Sequence, residues 1–302
     1  MGDVLAGNHA TWEFESDALV IRFDRGNRTP KLLSALRERR VPHQALASVT
    51  LTPGERGTVV LHAVPRPGAD PLMEAAAGQL KERCDPYRLV LPAERETLAE
   101  YYRDELRAVL PWDAADPADP AGLGDVRPAD DFLVAAPAGP RSFKAYDGKA
   151  SFDGTSEVTF RWSWTGASSE KWRAGDQTFS VRDLSGVEWR SPEGFDGYLR
   201  MVRRDGEPRP AQPDRDPASV VFGLGYGPVY DSLPFAAAVL AAIRGKARAP
   251  LPVAAPAGVR NAAHGDPGAV AERIRHLGEL HQAGLVTDEE FSAKKAELLA
   301  EL

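Results

Sequence analysis

A cluster of basic side chains between residues 22 and 40 is the main candidate for binding chemistry in this sequence. The seven cations there outnumber the carboxylates, of which there are two, and they are Arg22, Arg25, Arg28, Lys31, Arg37, Arg39 and Arg40. Beside an anionic bilayer each basic residue contributes about 1 kcal/mol, so the segment is a candidate for binding a membrane surface or a phosphate. The alternative is that Leu32, Leu33 and Leu36 form a short helix whose charges only face water. The sequence favours this second interpretation.

A glycine-rich run, Gly-Leu-Gly-Tyr-Gly at residues 223–227, is the second candidate. It follows a predicted strand and precedes a predicted helix, a place where backbone N–H groups can hold a phosphate. Its glycine spacing matches neither the dinucleotide-binding fingerprint nor the phosphate loop of nucleotide triphosphatases. We therefore predict a turn that leads into the helix.

Residues that could catalyse a reaction or bind a metal are scattered. The six histidines and the single cysteine, Cys84, show no metal-ligand spacing with one another or with carboxylates. Cys84 has no internal disulfide partner. Four tryptophans of the second half are predicted to be core and edge residues rather than a ligand cage, namely Trp162, Trp164, Trp172 and Trp189. We expect no enzyme activity, no cofactor and no metal.

Composition narrows the class of protein further. The 302 residues carry a net charge of −7, which disfavours nucleic acid as a partner because binding there depends on neutralising phosphates. No run of about 18 apolar residues predicts a membrane span. The first residues do not follow the pattern of a signal peptide. We expect a cytoplasmic protein of about two domains.

The elements that would position these residues occur twice. Five segments recur in the same order, each pairing one stretch of the first half with one of the second. Phe14-Glu15 corresponds to Phe152-Asp153, and Val41 to Val49 align without a gap with Phe179 to Val187. Residues 57–64 align with 197–204, residues 85–91 align with 216–222, and each copy then closes with a helical pattern. In the first copy, the place of the glycine run is taken by residues 91–94, which contain no glycine.

Short alternating strands followed by one amphipathic helix predict a small sheet or barrel covered by that helix. The helix of the first copy places Leu98, Tyr102 and Leu106 on one face, and that of the second copy repeats the spacing after residue 234. The predicted class is α+β, with two small β-rich domains and a C-terminal helical hairpin. The predicted boundaries are 1–110, a Pro/Ala/Asp-rich linker at 111–141, 142–244, a second linker at 245–264, and the hairpin at 265–302.

The last segment carries agreeing helix signals. Asp266 and Pro267 suit the start of one helix, and Gly284 suits its end. Thr287 and Glu290 form a capping box for the next helix. The apolar residues that we expect to mediate oligomerisation are Val270, Ile274, Leu277, Leu280, Leu285, Phe291, Leu298, Leu299 and Leu302.

This segment resembles the SHOCT domain, a short C-terminal domain of bacterial proteins. The matching positions are 277, 280, 283–287, 289–291, 294–295 and 298–299. The resemblance implies a role in oligomerisation and no catalytic residues. A hairpin this short buries too little surface to fold alone, so its apolar face needs a second copy, the body of this chain or another protein.

The two copies are similar to an actinobacterial domain of unknown function that is found in tandem and is often followed by SHOCT. The residues that carry this resemblance lie at 7–9, 11–14, 31–36, 41–49 and 77–80. The resemblance implies a fold like that of pleckstrin-homology domains, a bent seven-stranded sheet closed by a C-terminal helix. The second copy departs more, with Lys149 to Gly154 in place of Gly7 to Phe14.

The sequence therefore predicts a non-catalytic scaffold or adaptor that self-associates through its C-terminal hairpin and presents two such domains. The alternative is a peripheral membrane or anionic-ligand binding module that uses residues 22–40. The expected partner is a second copy of the chain or another protein.

Overall fold

A computed structural model describes residues 3–110, 126–137, 142–194, 196–206 and 210–248. The predicted C-terminal hairpin and all but the first four residues of the second predicted linker lie outside the described residues. The nine residues expected to mediate oligomerisation lie outside them too.

The first repeat folds as two antiparallel sheets, one of four strands in the order β1-β2-β3-β4 and one of three in the order β5-β6-β7. Its strands are β1 (Asp3–Ala6), β2 (Ala10–Phe14), β3 (Ala18–Phe23), β4 (Glu38–Pro42), β5 (Leu46–Pro53), β6 (Thr58–Pro65) and β7 (Arg88–Pro92). Its helices are α1 (Lys31–Leu36), α2 (Pro71–Ala76) and α3 (Glu96–Val109).

The second repeat has the same strand order, with β8 to β11 in one sheet and β12 to β14 in the other. Its strands are β8 (Ser142–Lys144), β9 (Gly148–Phe152), β10 (Glu157–Trp162), β11 (Gln177–Ser180), β12 (Leu184–Arg190), β13 (Tyr198–Arg203) and β14 (Ser219–Val221). Its helices are α4 (Ser169–Ala174) and α5 (Val229–Arg248). The predicted α+β class with two β-rich repeats is confirmed.

The two repeats share irregular details as well as strand order. A β-bulge follows Leu46 at the start of β5, and another follows Leu184 at the start of β12. In each repeat, a backbone hydrogen bond at an equivalent position joins the two sheets. Asn8 N donates to Val90 O at 2.7 Å, and Tyr146 N donates to Val221 O at 2.9 Å. Bulges are features of a particular fold rather than random defects, so the repeats are two copies of one fold.

One part of the sequence alignment is wrong by two residues. It set residues 57–64 beside residues 197–204. In the sheets, Pro65 and Arg203 occupy the same place, opposite the first residue of β5 and of β12, so residues 57–64 correspond to positions two earlier in the second repeat. A shift of two keeps every side chain on its own face of the strand, which is why the hydrophobic pattern did not reveal it.

Helix α2 distinguishes the first repeat, because no described helix of the second repeat corresponds to it. Its first turn is capped by Asp70, whose Oδ1 accepts a hydrogen bond from Leu72 N at 2.9 Å. The same carboxylate is buried and also accepts from Arg39 Nη2 at 2.7 Å and from Tyr87 Oη at 2.8 Å. These bonds tie α2 to strand β4 and to the residue before β7.

The last helices of the two repeats, α3 and α5, differ in composition because only α5 is covered on two sides. In α3, Tyr102 stacks on Phe14 with ring centroids 4.3 Å apart, while most of the outer face is charged. In α5, Phe235 packs on Phe143 and Phe152 of its own repeat. The opposite side of α5 contacts α1 and α2 of the first repeat. A helix buried on two sides is apolar almost all round, which explains its run of alanine, valine and leucine.

Residues 126–137, within the predicted first linker, lie against the first repeat. The amides of Leu133 and Val134 both donate to Ala69 O, at 2.8 and 3.0 Å, and Val134 is buried. The ring of Phe132 lies 3.8 Å from the guanidinium carbon of Arg244 in α5. Phe132, Leu133 and Val134 therefore anchor this segment on the folded repeats.

Candidate functional site

A cleft of about 1490 Å³ lies between the two repeats. The first repeat lines it with the turn before α1, the turn between β5 and β6, and residues 82–85. The second repeat lines it with residues 192–194, the glycine run and the start of α5. Both repeats belong to one compact unit, Met1–Ala249, so the cleft is part of a single folded body.

Contacts between the repeats hold the cleft walls in place. Lys31 Nζ lies 5.3 Å from the centre of the Tyr230 ring, across the cleft. Lys81 Nζ lies 3.1 Å from Glu193 Oε2. The side-chain amide of Gln79 both donates to Trp189 O and accepts from Ser191 N, at 3.0 Å each. Together with the docking of α5 on α1 and α2, these contacts fix the distance between the walls.

The predicted basic segment does not form one surface patch. Arg22 pairs with Glu13 and Glu38, and Arg40 pairs with Glu15 and Asp17. These pairs arise because β3 lies between β2, which carries Glu13, and β4, which carries Glu38 and Arg40, while Glu15 and Asp17 lie in the turn between β2 and β3. Their partners offset much of the charge that the sequence count suggested.

The other five cations of the segment divide into three groups. Arg39 is buried against Asp70, so it is not available to a ligand at the surface. Arg25 and Arg37 are exposed outside the cleft. Arg28 and Lys31 line the cleft. Of the seven candidates, the structure therefore brings two to the inter-repeat site.

The cleft carries an excess of cations that sequence reasoning missed. Arg56 and Arg83 line it with Arg28 and Lys31, and none of these four has a carboxylate partner among the described residues. Two of the four carboxylates that line it are paired with a cation, Glu82 with Arg88 and Glu193 with Lys81. The third, Asp85, lies 3.3 Å from His62 Nε2, and the fourth, Glu55, has no cationic partner among the described residues. The cleft is therefore suited to an anion.

Arg56 occupies a position that normally selects another residue type. It has φ +54° and is followed by Gly57 with φ +71°, at the tip of the β5–β6 hairpin. Two successive positive φ values belong to a hairpin turn that favours Asn, Asp or Gly at its first central position. A left-handed conformation costs a residue with a Cβ about 1–2 kcal/mol. An arginine that adopts this unfavourable backbone conformation beside the cleft is consistent with a binding role.

The glycine run forms a tight turn, as predicted. Gly223 and Tyr226 exchange backbone hydrogen bonds, and Gly225 has φ +80°. The described hydrogen bonds leave the amides of Leu224 and Gly225 without a partner. The turn forms part of the cleft wall that the second repeat contributes. Its position, rather than its glycine spacing, connects it with the candidate site.

The four tryptophans of the second repeat have different environments. Trp189 is buried and donates from Nε1 to Ser232 Oγ at 3.0 Å, and Trp162 is partly buried. Trp164 and Trp172 are 83% and 51% exposed and pack edge to face, with centroids 5.5 Å apart. The prediction of a core residue is confirmed for Trp189, whereas Trp164 and Trp172 lie at the surface.

A buried ion pair lies in the second repeat, and no sequence pattern indicated it. Lys171 Nζ of α4 lies 2.5 Å from Asp147 Oδ2, and Asp147 Oδ1 accepts from Val221 N at 2.9 Å. Burial raises the pKa of Asp147 and lowers that of Lys171, although each partner offsets part of the effect on the other. Both side chains are closed to solvent, so the pair ties α4 to β14 rather than reacting with a ligand.

Cys84 lines the cleft as a free thiol. Partial burial raises its pKa, and the nearby carboxylate of Glu193 acts in the same direction. A raised pKa leaves little thiolate at neutral pH, so the thiol is a weak nucleophile. Among the described residues, no group of three or more His, Cys, Asp or Glu side chains is arranged to hold a metal. In that same part of the chain, no helix has the length and apolar character to cross a membrane.

Two known protein families match parts of this chain. Residues 12–107 and 150–240 both match the family model described as "Domain of unknown function (DUF4429)". The chain belongs to the DUF4429 family. Residues 272–299 match the SHOCT family model, described as "Short C-terminal domain". The tandem of one domain of unknown function followed by SHOCT, which the sequence resembles, is therefore confirmed. No curated protein matches the chain.

The limits of the DUF4429 matches agree with the structure. The first runs from β2 to α3 and the second from β9 to α5, so each holds six of the seven strands and more than half of the closing helix. The inter-repeat cleft is built from residues of both matches together with flanking residues such as Asn8 and His9.

Proposed function

We propose that this protein is a non-catalytic adaptor that self-associates through its SHOCT segment and presents its two DUF4429 repeats as one rigid body. The observation that carries the proposal is the position of α5, which is buried against its own sheets and against α1 and α2 of the first repeat. A helix shared in this way prevents the repeats from moving independently. A rigid two-repeat body suits a protein that holds partners at a fixed spacing.

We propose further that each repeat is a pleckstrin-homology-like domain. Support comes from the four-stranded and three-stranded antiparallel sheets of each repeat and from the single helix that follows the last strand. The weakly nucleophilic Cys84 thiol in the cleft agrees with a binding role. The free cysteine also agrees with a cytoplasmic location.

Self-association is supported by the SHOCT match at residues 272–299. The apolar residues of that segment, such as Leu277 and Leu298, need a surface to cover them. Burying each Leu or Phe side chain contributes about 1.5–3 kcal/mol before entropy is subtracted. Several such residues from two chains therefore supply enough free energy for a stable association. The competing arrangements are packing on the repeats of the same chain and packing on another protein.

The test is the mass of the full chain and of residues 1–264 by light scattering. We expect the full chain to give a multiple of 32.7 kDa and the truncated chain to be monomeric. In the full chain, Leu277→Asp together with Leu298→Asp should also give a monomer. Gln282→Asp, which adds a charge at a polar position of the same segment, should leave the mass unchanged. Equal subunit numbers for the full and truncated chains would exclude self-association through this segment.

A second candidate function is anion binding by residues 22–40. It is favoured by the observation that Arg25, Arg28, Lys31 and Arg37 are exposed without a carboxylate partner among the described residues. Flotation with vesicles of phosphatidylglycerol tests binding to a membrane surface. Salt-sensitive flotation that is lost in Arg25→Gln with Arg37→Gln would support it, and no flotation at low salt would exclude it.

A further inference from the structure

The cleft between the repeats combines two kinds of wall. The first repeat contributes cations without carboxylate partners, namely Arg28, Lys31, Arg56 and Arg83. The second repeat contributes Tyr226, Tyr230 and Phe222, together with the turn whose Leu224 and Gly225 amides are free among the described residues. Neither repeat has both kinds of wall, so the site exists only because the repeats are docked.

The arginine and lysine side chains on the first-repeat wall determine which kind of anion fits the cleft. Arginine presents a planar fork of donors that matches a phosphate, and lysine binds phosphate as a point charge. The two free amides of the opposite turn are further donors. A single carboxylate ligand would leave most of these donors unused, whereas a phosphate or diphosphate has oxygens for several of them.

The aromatic side chains on the second-repeat wall determine which kind of chemical group can be attached to the anion. Tyr226 is partly exposed, and Tyr230 is partly buried at the start of α5. Aromatic side chains at a cleft offer flat apolar surface with a polar tip. Lys31 already lies over the Tyr230 ring, so charge and aromatic surface meet at one point of the cleft. At about 1490 Å³ the cleft exceeds the usual range of small-molecule pockets.

We propose that the inter-repeat cleft binds a molecule in which a phosphate group is joined to an aromatic or apolar group. The phosphate lies among Arg28, Lys31, Arg56 and Arg83, and the attached group lies against Tyr226 and Tyr230. Two sources share this chemistry, a soluble nucleotide and the headgroup of an anionic lipid. The inference shares Arg28 and Lys31 with the second candidate function but places the site in the cleft, away from Arg25 and Arg37, and it does not depend on self-association.

The experiment uses the full chain and isothermal titration with ADP as the soluble probe. ADP should bind, while pyrophosphate and adenosine, which carry one half of the chemistry each, should bind at least about tenfold more weakly. Raising the salt concentration should weaken the binding of ADP. Vesicles containing equal amounts of phosphatidylglycerol and phosphatidylcholine test the lipid source.

Matched variants assign the binding to the cleft. Arg28→Gln should weaken binding of ADP about tenfold or more, whereas Arg25→Gln, three residues away and outside the cleft, should change it less than twofold. Tyr226→Ala should weaken binding, whereas Tyr101→Ala, an exposed tyrosine of α3, should not. All four side chains are at least partly exposed, and circular dichroism checks that each variant is folded.

The outcomes separate the possibilities. Binding to vesicles alone that is lost in Arg28→Gln supports the cleft with a lipid as the source. Binding of ADP that is affected equally by Arg25→Gln and Arg28→Gln overturns the assignment to the cleft, as does binding to neither ADP nor vesicles. A monomeric full chain that still binds ADP overturns self-association only, so the two proposals fail separately.

Discussion

Arg244 of the second repeat donates a hydrogen bond from Nη1 to the carbonyl oxygen of Gly68 in the first repeat, at 3.0 Å. Its Nη2 lies 3.3 Å from Glu74 Oε1, and its guanidinium stacks on the ring of Phe132. One side chain of α5 thus contacts the loop before α2, the helix α2 and the segment that connects the repeats. This arrangement explains how the repeats become a single body.

We expect Arg244→Ala to lower the free energy of unfolding by about 2 kcal/mol, because a charged donor and its stacking contact are lost at the inter-repeat contact. Urea denaturation followed by tryptophan fluorescence measures the change. Arg161→Ala, at an exposed position of β10, is the control and should change the free energy by less than about 0.5 kcal/mol. Similar effects in both variants would show that Arg244 does not hold the repeats together.

The buried Asp70 should matter more than its tyrosine partner. Asp70→Ala removes the acceptor of Arg39 and leaves a buried guanidinium unpaired, so we expect a loss of about 3–5 kcal/mol. Burial, with a contribution from Asp70, raises the pKa of Tyr87 well above its usual value, so the phenol stays protonated and donates. Tyr87→Phe removes only that hydrogen bond and should cost about 1 kcal/mol. Denaturation of both variants gives the comparison, and an equal loss would contradict the role assigned to Asp70.

Two glycines of the turn before α5 should differ in their tolerance of a side chain. Gly225 has φ +80° and open space around it, so Gly225→Ala should cost about 1 kcal/mol from the backbone alone. Gly227 has φ +61°, and a Cβ there would lie 2.2 Å from Phe222 Cδ1. Gly227→Ala should therefore be the more destabilising variant by at least about 1 kcal/mol. Thermal unfolding of the pair checks this order, and the reverse order would contradict the turn geometry.

Asp153 should make stability depend on pH in the acid range. Its carboxylate accepts hydrogen bonds from Ser156 Oγ and from the amides of Thr155, Ser156 and Glu157, and these hold its pKa well below 3.8. The unfolded chain therefore binds the proton more tightly than the folded chain. The contribution is fully present above about pH 4 and is lost as the pH falls from there towards the folded-state value.

Denaturation of the wild type and of Asp153→Asn at a series of pH values tests this sign. The variant should be less stable at neutral pH and should lose less stability than the wild type between about pH 4 and about pH 2. Ser156→Ala, which removes the largest of the four contributions, should give an intermediate slope. Parallel curves for wild type and Asp153→Asn would show that the carboxylate has the same pKa in both states.

Much of the fold was readable from local patterns. Alternating apolar residues predicted short strands, and the order of the segments predicted the repeat. The amphipathic spacing around Tyr102 predicted α3. These signals are readable because a strand or helix imposes its own period on the residues that it buries. The turn at residues 223–227 was also predicted, because its glycine spacing did not fit a phosphate loop.

The candidate site could be predicted only in part. Arg28 and Lys31 belong to the basic segment that the sequence singled out, yet Arg22 and Arg40 of the same segment are paired with carboxylates of neighbouring strands and of the turn between β2 and β3. Pairing of this kind depends on which strands lie side by side. Arg83 gave no sequence signal, because nothing local indicates that it faces a second repeat. The two-residue error in β6 has a similar origin, since hydrogen-bond register is set between strands.

The sequence by itself determined that the chain contains two copies of a DUF4429 repeat and a SHOCT segment. Both are recognised from local patterns, that is, from residue types that recur within a few positions of one another. Only the tertiary structure decided that α5 lies between the repeats and that a cation-rich cleft opens beside it. Docking depends on α2, which has no described counterpart in the second repeat, and on contacts such as Arg244 with Gly68, 176 residues apart. Contacts over such separations leave no period in the sequence, so they become visible only when the chain is folded.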